Sequence, residues 1–266
     1  MEIVLGFFFF IFGTLIGSFL NVVILRYNTG KNLSGRSRCQ SCGKILSSTE
    51  LFPVFSFLFQ KGVCKGCGSK ISIQYPIVEF STGILFLLVF LTYTSVPQAI
   101  FSLIIVSILI IITAYDIKHE IIPNSFVYIF IGMSLFSMFF NMETFYYSTP
   151  SALDLFAGPA LAIPIWLLWL FSNGKWIGLG DAKIFLGVGW FLGIFAGVTA
   201  FFLSFWIGAI VGILLVFISK FLRIKKLNLG VKELTIKDGI PFAPFIIASF
   251  LLVYFFEFNL ISIIAP

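Results

Sequence analysis

Residues 76–115 read PIVEFSTGILFLLVFLTYTSVPQAIFSLIIVSILIIITAY, with Glu79 as their single charged residue. As one straight helix this stretch would be roughly 60 Å long at about 1.5 Å per residue, twice the ~30 Å thickness of a bilayer's hydrocarbon core. It therefore holds two membrane spans, and the break is expected at Thr92–Gln98, where Pro97 lies. On either side of this stretch, residues 3–25 form one span, and 124–141 and 153–171 form two more. Residues 184–219 would reach roughly 54 Å and must divide as well, near Gly193–Gly197. A last span is expected at about 240–263, which brings the total to about eight transmembrane helices. Composition agrees: of 266 residues, 59% are hydrophobic and 11% charged, and mean hydropathy is +1.09. Soluble domains average about 25% charged residues, so a soluble enzyme, a disordered chain and a nucleic-acid-binding domain are all excluded. The 36 Phe residues suit lipid-facing surface and helix packing. The first apolar run follows Met1-Glu2 with no basic segment before it, so it is expected to be a retained span and not a cleaved signal peptide.

Charge supports this division. All 17 Lys and Arg fall in four segments, 26–75, 116–123, 172–183 and 220–239, which lie on one side of the membrane if there are eight spans. The other side receives only Glu2, Glu143, Asp154 and Glu257. The positive-inside rule makes the basic side cytoplasmic and places both termini outside. The net charge of +6 then concerns topology and anionic lipid, with the bilayer as partner and no nucleic acid. The expected organisation is a first transmembrane span at 1–25, a cytoplasmic loop domain at 26–75 and a seven-span membrane core at 76–266.

The loop carries every cysteine. Cys39-x2-Cys42 and Cys64-x2-Cys67 are each followed by a glycine, Gly43 and Gly68. Two such turns form paired zinc knuckles: each aims two thiolates at one metal, and glycine tolerates the positive φ that the turn needs. Four thiolates close a tetrahedral site, so a structural Zn2+ is expected, with redox dithiols or unused thiols as the alternatives. A cytoplasmic location disfavours disulfides, and a loop of about 50 residues without a large core needs such a staple to fold.

Two acids have unusual settings. Asp116 ends the apolar run IIVSILIIITAY, and Asp181 follows Gly178-Leu179-Gly180 and opens the next apolar helix. They are expected at one membrane depth on the cytoplasmic side. Asp181 suits a helix N-terminus, where a carboxylate accepts backbone N–H bonds. Asp116 sits at a helix C-terminus, which disfavours an anion and asks for another explanation. Two carboxylates sharing one site do not both ionise easily, which is the requirement of aspartyl protease chemistry. The glycines before Asp181 are expected to let a substrate approach the backbone closely. The same pair suits a proton- or ion-coupled transporter equally well, and a non-catalytic assembly factor of a secretion machine remains a further reading.

At these residues the sequence resembles the type IV prepilin peptidases, a bifunctional leader peptidase and N-methyltransferase family. The resemblance covers nearly the whole chain. It is carried by Gly17-Ser18-Phe19-Leu20-Asn21-Val22-Val23 with Arg26, the two Cys pairs with Leu51-Phe52-Pro53-Val54-Phe55-Ser56 between them, and Tyr75-Pro76-Ile77-Val78-Glu79. Asp116 with Ile122-Pro123-Asn124 continues it, as do Gly178-Leu179-Gly180-Asp181-Ala182-Lys183 and Ile240-Pro241-Phe242-Ala243-Pro244-Phe245. Ala243 stands where the family more commonly has Gly. The resemblance implies cleavage of prepilin and pseudopilin leaders at the cytoplasmic face of the inner membrane, with Asp116 and Asp181 as catalytic aspartates. It also implies methylation of the new N-terminus with S-adenosylmethionine. No Gly-x-Gly-x-x-Gly turn after a strand marks a donor site in this chain; the resemblance associates methyl transfer with the Cys loop, so Glu79 and that loop are what it implies as the donor site.

Lys183 is a candidate substrate or methyl-donor contact, although anchoring by positive charge explains it equally well. His119 reads as an exposed loop residue, and Asn21 as a polar contact between helices. Pro241 and Pro244 read as helix initiation, or else as a break that frees backbone groups for an extended substrate.

Overall fold

The computed structural model describes residues 2–30, 32–93, 95–140, 146–224 and 240–258, with the side chains of 219–224 outside that description. Lys31, Glu143, the basic residues of 225–239 with Glu233 and Asp238, and the expected end of the last span at 259–263 also lie outside it.

The described residues form eight α-helices and no strand: α1 (Glu2–Arg26), α2 (Phe55–Phe59), α3 (Gln74–Thr92), α4 (Val96–His119), α5 (Asn124–Phe139), α6 (Ala152–Ser172), α7 (Leu179–Ile224) and α8 (Ala243–Phe256). Five of these, α1, α3, α4, α6 and α7, are long and apolar enough to cross a membrane, and α5 and α8 are shorter apolar helices. α7 is interrupted at Gly193, whose φ of 75° and ψ of 179° are not helical. Only glycine adopts such a backbone readily, so the break falls within the stretch where length required one. Seven apolar helices, one of them broken in two, make a multi-pass α-helical membrane protein of eight apolar segments.

Several helix ends differ from expectation by a few residues, and three differences bear on the site and its topology. Pro97 does not lie in the break before α4 but in its first turn, where a missing N–H costs nothing. α7 continues to Ile224, beyond the expected loop start at 220. His119 is exposed as expected, yet it closes α4 and is not a loop residue.

The helices divide into two compact units, one built on residues up to Tyr115 and the other from Asp116 onward. In the first, α1 lies along α3. A Cβ at Gly13 would come within 2.8 Å of the Gly83 Cα, and one at Gly17 within 2.7 Å of the Glu79 Cα. Without a hydrophobic driving force between helices in lipid, such small-residue faces let backbones approach and gain packing. Asn21 adds a hydrogen bond from Nδ2 to the Tyr75 carbonyl at 3.2 Å. α4 is the most buried of the long helices, with Ile105, Val106 and Ile112 wholly covered.

In the second unit, α6 and α7 pack through glycines. A Cβ at Gly189 would lie 2.4 Å from the Ala157 carbonyl oxygen. Phe130 of α5 lies over Gly187 and meets Phe250 of α8 edge-on at 5.7 Å. Pro159 sits inside α6 and has no N–H to give the carbonyl of Leu155. The Trp190 indole N–H on α7 donates to that carbonyl at 3.0 Å. A polar group freed in lipid is thus satisfied by the neighbouring helix. Trp190→Phe should therefore lower the thermal stability of the detergent-solubilised protein by about 1–3 kcal/mol, the cost of an orphaned carbonyl. Trp166→Phe, at an exposed ring, should leave the melting temperature unchanged.

Candidate active site and metal centre

Asp116 occupies the last turn of α4 and is 4% exposed; Asp181 is the third residue of α7 and 5% exposed. Both belong to the second unit, and the charge of Asp116 is felt at Asp181. Each carboxylate has one backbone donor. The Gly178 N–H donates to Asp181 Oδ2 at 3.2 Å, so the carboxylate reaches back over the start of its own helix, where the dipole favours it. The Ala243 N–H donates to Asp116. Ala243 is the first residue of α8, so the positive end of a second helix compensates the unfavourable end of α4. One oxygen of each acid, Asp116 Oδ2 and Asp181 Oδ1, is buried with no hydrogen-bond partner among the described residues. Two buried, partly satisfied carboxylates whose charges act on one another are a candidate site for a polar reactant.

Local sequence builds this arrangement. The turn after α4 places Ile122 against Gly180, where a Cβ would lie 2.7 Å from the Ile122 Cδ1. The missing side chain of Gly180 therefore makes room for Ile122, a neighbour the sequence did not indicate. Gly178 supplies the N–H that caps Asp181. Pro244 lies in the first turn of α8, so this proline belongs to helix initiation, and the free N–H beside it serves Asp116. That long-range contact has no local signature in the sequence. Lys183 meets neither aspartate among its described contacts; its Nζ donates to Asn124 Oδ1 at 2.8 Å and to the Tyr128 hydroxyl at 3.2 Å, tying the start of α7 to that of α5.

The cysteines form a second centre, in the first unit. Their four Sγ atoms lie within 4.8 Å of one another. The two knuckles repeat one geometry. Cys39 N–H donates to the Lys44 carbonyl at 2.9 Å and Gly43 N–H to the Cys39 carbonyl at 3.0 Å; Cys64 N–H donates to the Ser69 carbonyl at 2.9 Å and Gly68 N–H to the Cys64 carbonyl at 2.8 Å. Gly43 and Gly68 have φ of 71° and 69°, the left-handed backbone expected of them. The Cys39 and Cys67 sulfurs are 3.9 Å apart, and tetrahedral ligands at about 2.3 Å from an ion would be separated by about 3.8 Å. The donor set thus fits a metal ion. The Cys42 N–H, with help from Ser41 and the Ser69 hydroxyl, holds the Cys39 thiol down to about 6. Cys42 accepts from the Lys44 N–H, yet protons shared with Cys67 and Cys39 push it up to about 11. Four sulfurs do not all ionise together without a cation, and metal binding supplies one. Beside the knuckle, Lys44 pairs with the buried Glu50 at 2.9 Å.

Glu79, on α3, is buried and already engaged. The Val54 N–H donates to its Oε2 at 2.7 Å, and the Ser18 side chain also bonds to it. It borders a cavity of about 710 Å³ lined by Ser18, Arg26, Arg36, Glu50 and Tyr75, among others.

Two family models match the chain. Residues 11–93 match the bacterial peptidase A24 N-terminal domain, and residues 103–213 match the type IV leader peptidase family. A prepilin leader peptidase/N-methyltransferase of Bacillus subtilis (strain 168) is 31% identical over 95% of this chain and 95% of its own length. The chain belongs to the type IV leader peptidase family. Relatives with the same description in Klebsiella pneumoniae (32% identical, 71% of this chain, 85% of that protein) and Neisseria gonorrhoeae (30%, 77% and 80%) agree. No solved structure matches the chain. Membership of a peptidase family leaves the ion-coupled transporter reading without support.

The metal centre makes a direct prediction. The purified protein should carry one tightly held divalent ion per chain by elemental analysis. Cys64→Ser, at the most buried ligand, should lose that ion and melt at a lower temperature. Retention of a full equivalent of metal would contradict the four-cysteine assignment.

Proposed function

We propose that this chain is a membrane aspartyl endopeptidase. It cleaves the leaders of prepilins and pseudopilins at the cytoplasmic face of the inner membrane and then methylates the new N-terminus. The observation that carries this reading is the pair Asp116 and Asp181: two buried carboxylates of one unit, each with one helix-terminal donor and, among the described residues, one unpartnered oxygen.

The chemistry follows from sharing a proton. The ionised carboxylate takes a proton from water as the water oxygen attacks the scissile carbonyl carbon. The protonated carboxyl gives its proton to the carbonyl oxygen, which produces a neutral tetrahedral diol. Collapse breaks the C–N bond and passes a proton to the leaving amine, so both carboxyls return to their starting state. The helix N-termini at Gly178 and Ala243 hold the two groups in place throughout. Lys183, fixed on Asn124 and Tyr128, keeps the Gly178–Asp181 turn seated for substrate.

The basic segments support a cytoplasmic placement of the Cys loop and the aspartates, with both termini outside. On that topology the division into a first span (1–25), a zinc-binding loop domain (26–75) and a seven-span core (76–266) is retained. The metal is Zn2+, held by Cys39, Cys42, Cys64 and Cys67; with four thiolates it has no open position and shapes the loop without entering the reaction. S-adenosylmethionine, when bound, supplies an electrophilic methyl group. The cavity bordered by Glu79 suits it in size, and cationic and anionic side chains together match its amino-acid end and its sulfonium. Arg26 and Arg36 would take the carboxylate, and Glu79 holds the cavity wall through Val54 and Ser18.

Asp116→Asn and Asp181→Asn should each lose more than about a thousandfold in the rate of leader cleavage, with unchanged melting temperature and metal content. Both should still methylate a pre-cleaved pilin with labelled S-adenosylmethionine. Cleavage near the wild-type rate by either folded variant would sink the dyad.

A further inference from the structure

Helix α2 exposes an apolar face that the peptidase reading does not use. Phe52, Phe55 and Leu58 are more than half exposed, and Phe59 is 82% exposed. The Phe52 and Phe55 rings meet at 5.8 Å. Four large apolar side chains within eight residues form a patch that a water-facing loop would not keep open.

The depth of this patch is set by Glu79. α3 has 19 residues, so its length of about 28 Å is only just enough for the hydrocarbon core. Glu79 lies five residues inside that helix, about 7 Å from its end. Its carboxylate accepts the Val54 N–H at 2.7 Å, and Val54 is the residue that precedes α2. The start of α2 is therefore held level with the end turns of a membrane span. Val54 is bent to reach it: φ is 62° and ψ −53°, and Phe55 N–H donates to the Pro53 carbonyl at 2.6 Å. This is the strained hand of the γ-turn, adopted here by a β-branched residue. Such a backbone persists only where its surroundings impose it, and here the imposed contact is with Glu79.

Charge identifies what covers the patch. Residues 51–73 contain Lys61, Lys65 and Lys70 and no Asp or Glu. Aromatic and aliphatic side chains bordered by lysines are the composition of a segment lying in an anionic membrane interface. Ile73, Ile77, Phe80 and Ile84 continue as an exposed apolar stripe along α3, at the spacing of one helix face.

We propose that residues 51–59 are an interfacial anchor: Phe52, Phe55, Leu58 and Phe59 enter the headgroup–acyl boundary of an anionic bilayer, and Glu79 holds the segment at that depth. The four-cysteine module then rests on the membrane surface and does not project freely from it.

The test uses the full chain in nanodiscs of phosphatidylglycerol and phosphatidylethanolamine. The photoreactive residue 4-benzoylphenylalanine replaces Phe59, Phe8 on the lipid-exposed face of α1, or Gln40 in the first knuckle, and adducts are identified by mass spectrometry. Lipid adducts at 59 should come within about twofold of those at 8, and those at 40 should stay at background. The yield at 59 should fall at least twofold when phosphatidylcholine replaces phosphatidylglycerol. If position 59 labels only protein, from the same or a second copy, or labels nothing while position 8 labels lipid, the anchor is overturned. An unchanged yield in phosphatidylcholine overturns the role of the lysines. The same substitution at Leu58 repeats the test, and retained metal and a monodisperse elution profile report that each variant is folded.

Discussion

A carboxylate buried at the edge of a bilayer has no water to solvate it, so its donors must come from the protein. The second unit meets this constraint with two helix beginnings. α7 gives the Gly178 N–H to Asp181, and α8 gives the Ala243 N–H to Asp116. Much of the surrounding detail serves these two bonds. Ile122 fills the hollow at Gly180, Lys183 ties α7 to α5, and Pro244 starts α8 where its first N–H is free to point outward. Among the described residues satisfaction is incomplete, because each acid keeps one oxygen without a partner. A fully bonded pair would be a structural clamp; a half-bonded pair is ready to hold water and a peptide carbonyl.

The first unit answers a different constraint. Residues 27–73 bury too few apolar side chains to hold a core of their own, and they lie between two spans. Four thiolates around one ion, two matched knuckles and the Lys44–Glu50 pair provide the order that burial does not. Glu79 then fastens this module to α3. The same carboxylate borders the proposed methyl-donor cavity, so the position of the module and the shape of that cavity depend on one side chain.

The architecture was legible from length alone. Apolar runs too long for one crossing required breaks, and the structure has them between α3 and α4 and at Gly193. The Cys-x2-Cys-Gly pairs and both aspartates were legible because their chemistry needs few residues at fixed spacing. Long-range backbone contacts were not legible. Nothing local marks Ala243 as the donor to Asp116, or Val54 as the partner of Glu79. Gly180 shows the same limit: a glycine signals close approach, but only the fold reveals that Ile122 is a neighbour. Pro97 shows that proline marks a helix start as readily as a break.

The most direct measurement is a structure of the protein with a leader-peptide analogue carrying a hydroxyethylene group in place of the scissile amide. That group imitates the tetrahedral diol and cannot be cleaved. Its hydroxyl should lie within hydrogen-bond distance of both Asp116 and Asp181, at Asp116 Oδ2 and Asp181 Oδ1. An analogue that inhibits cleavage yet binds with its hydroxyl away from either carboxylate would contradict the dyad.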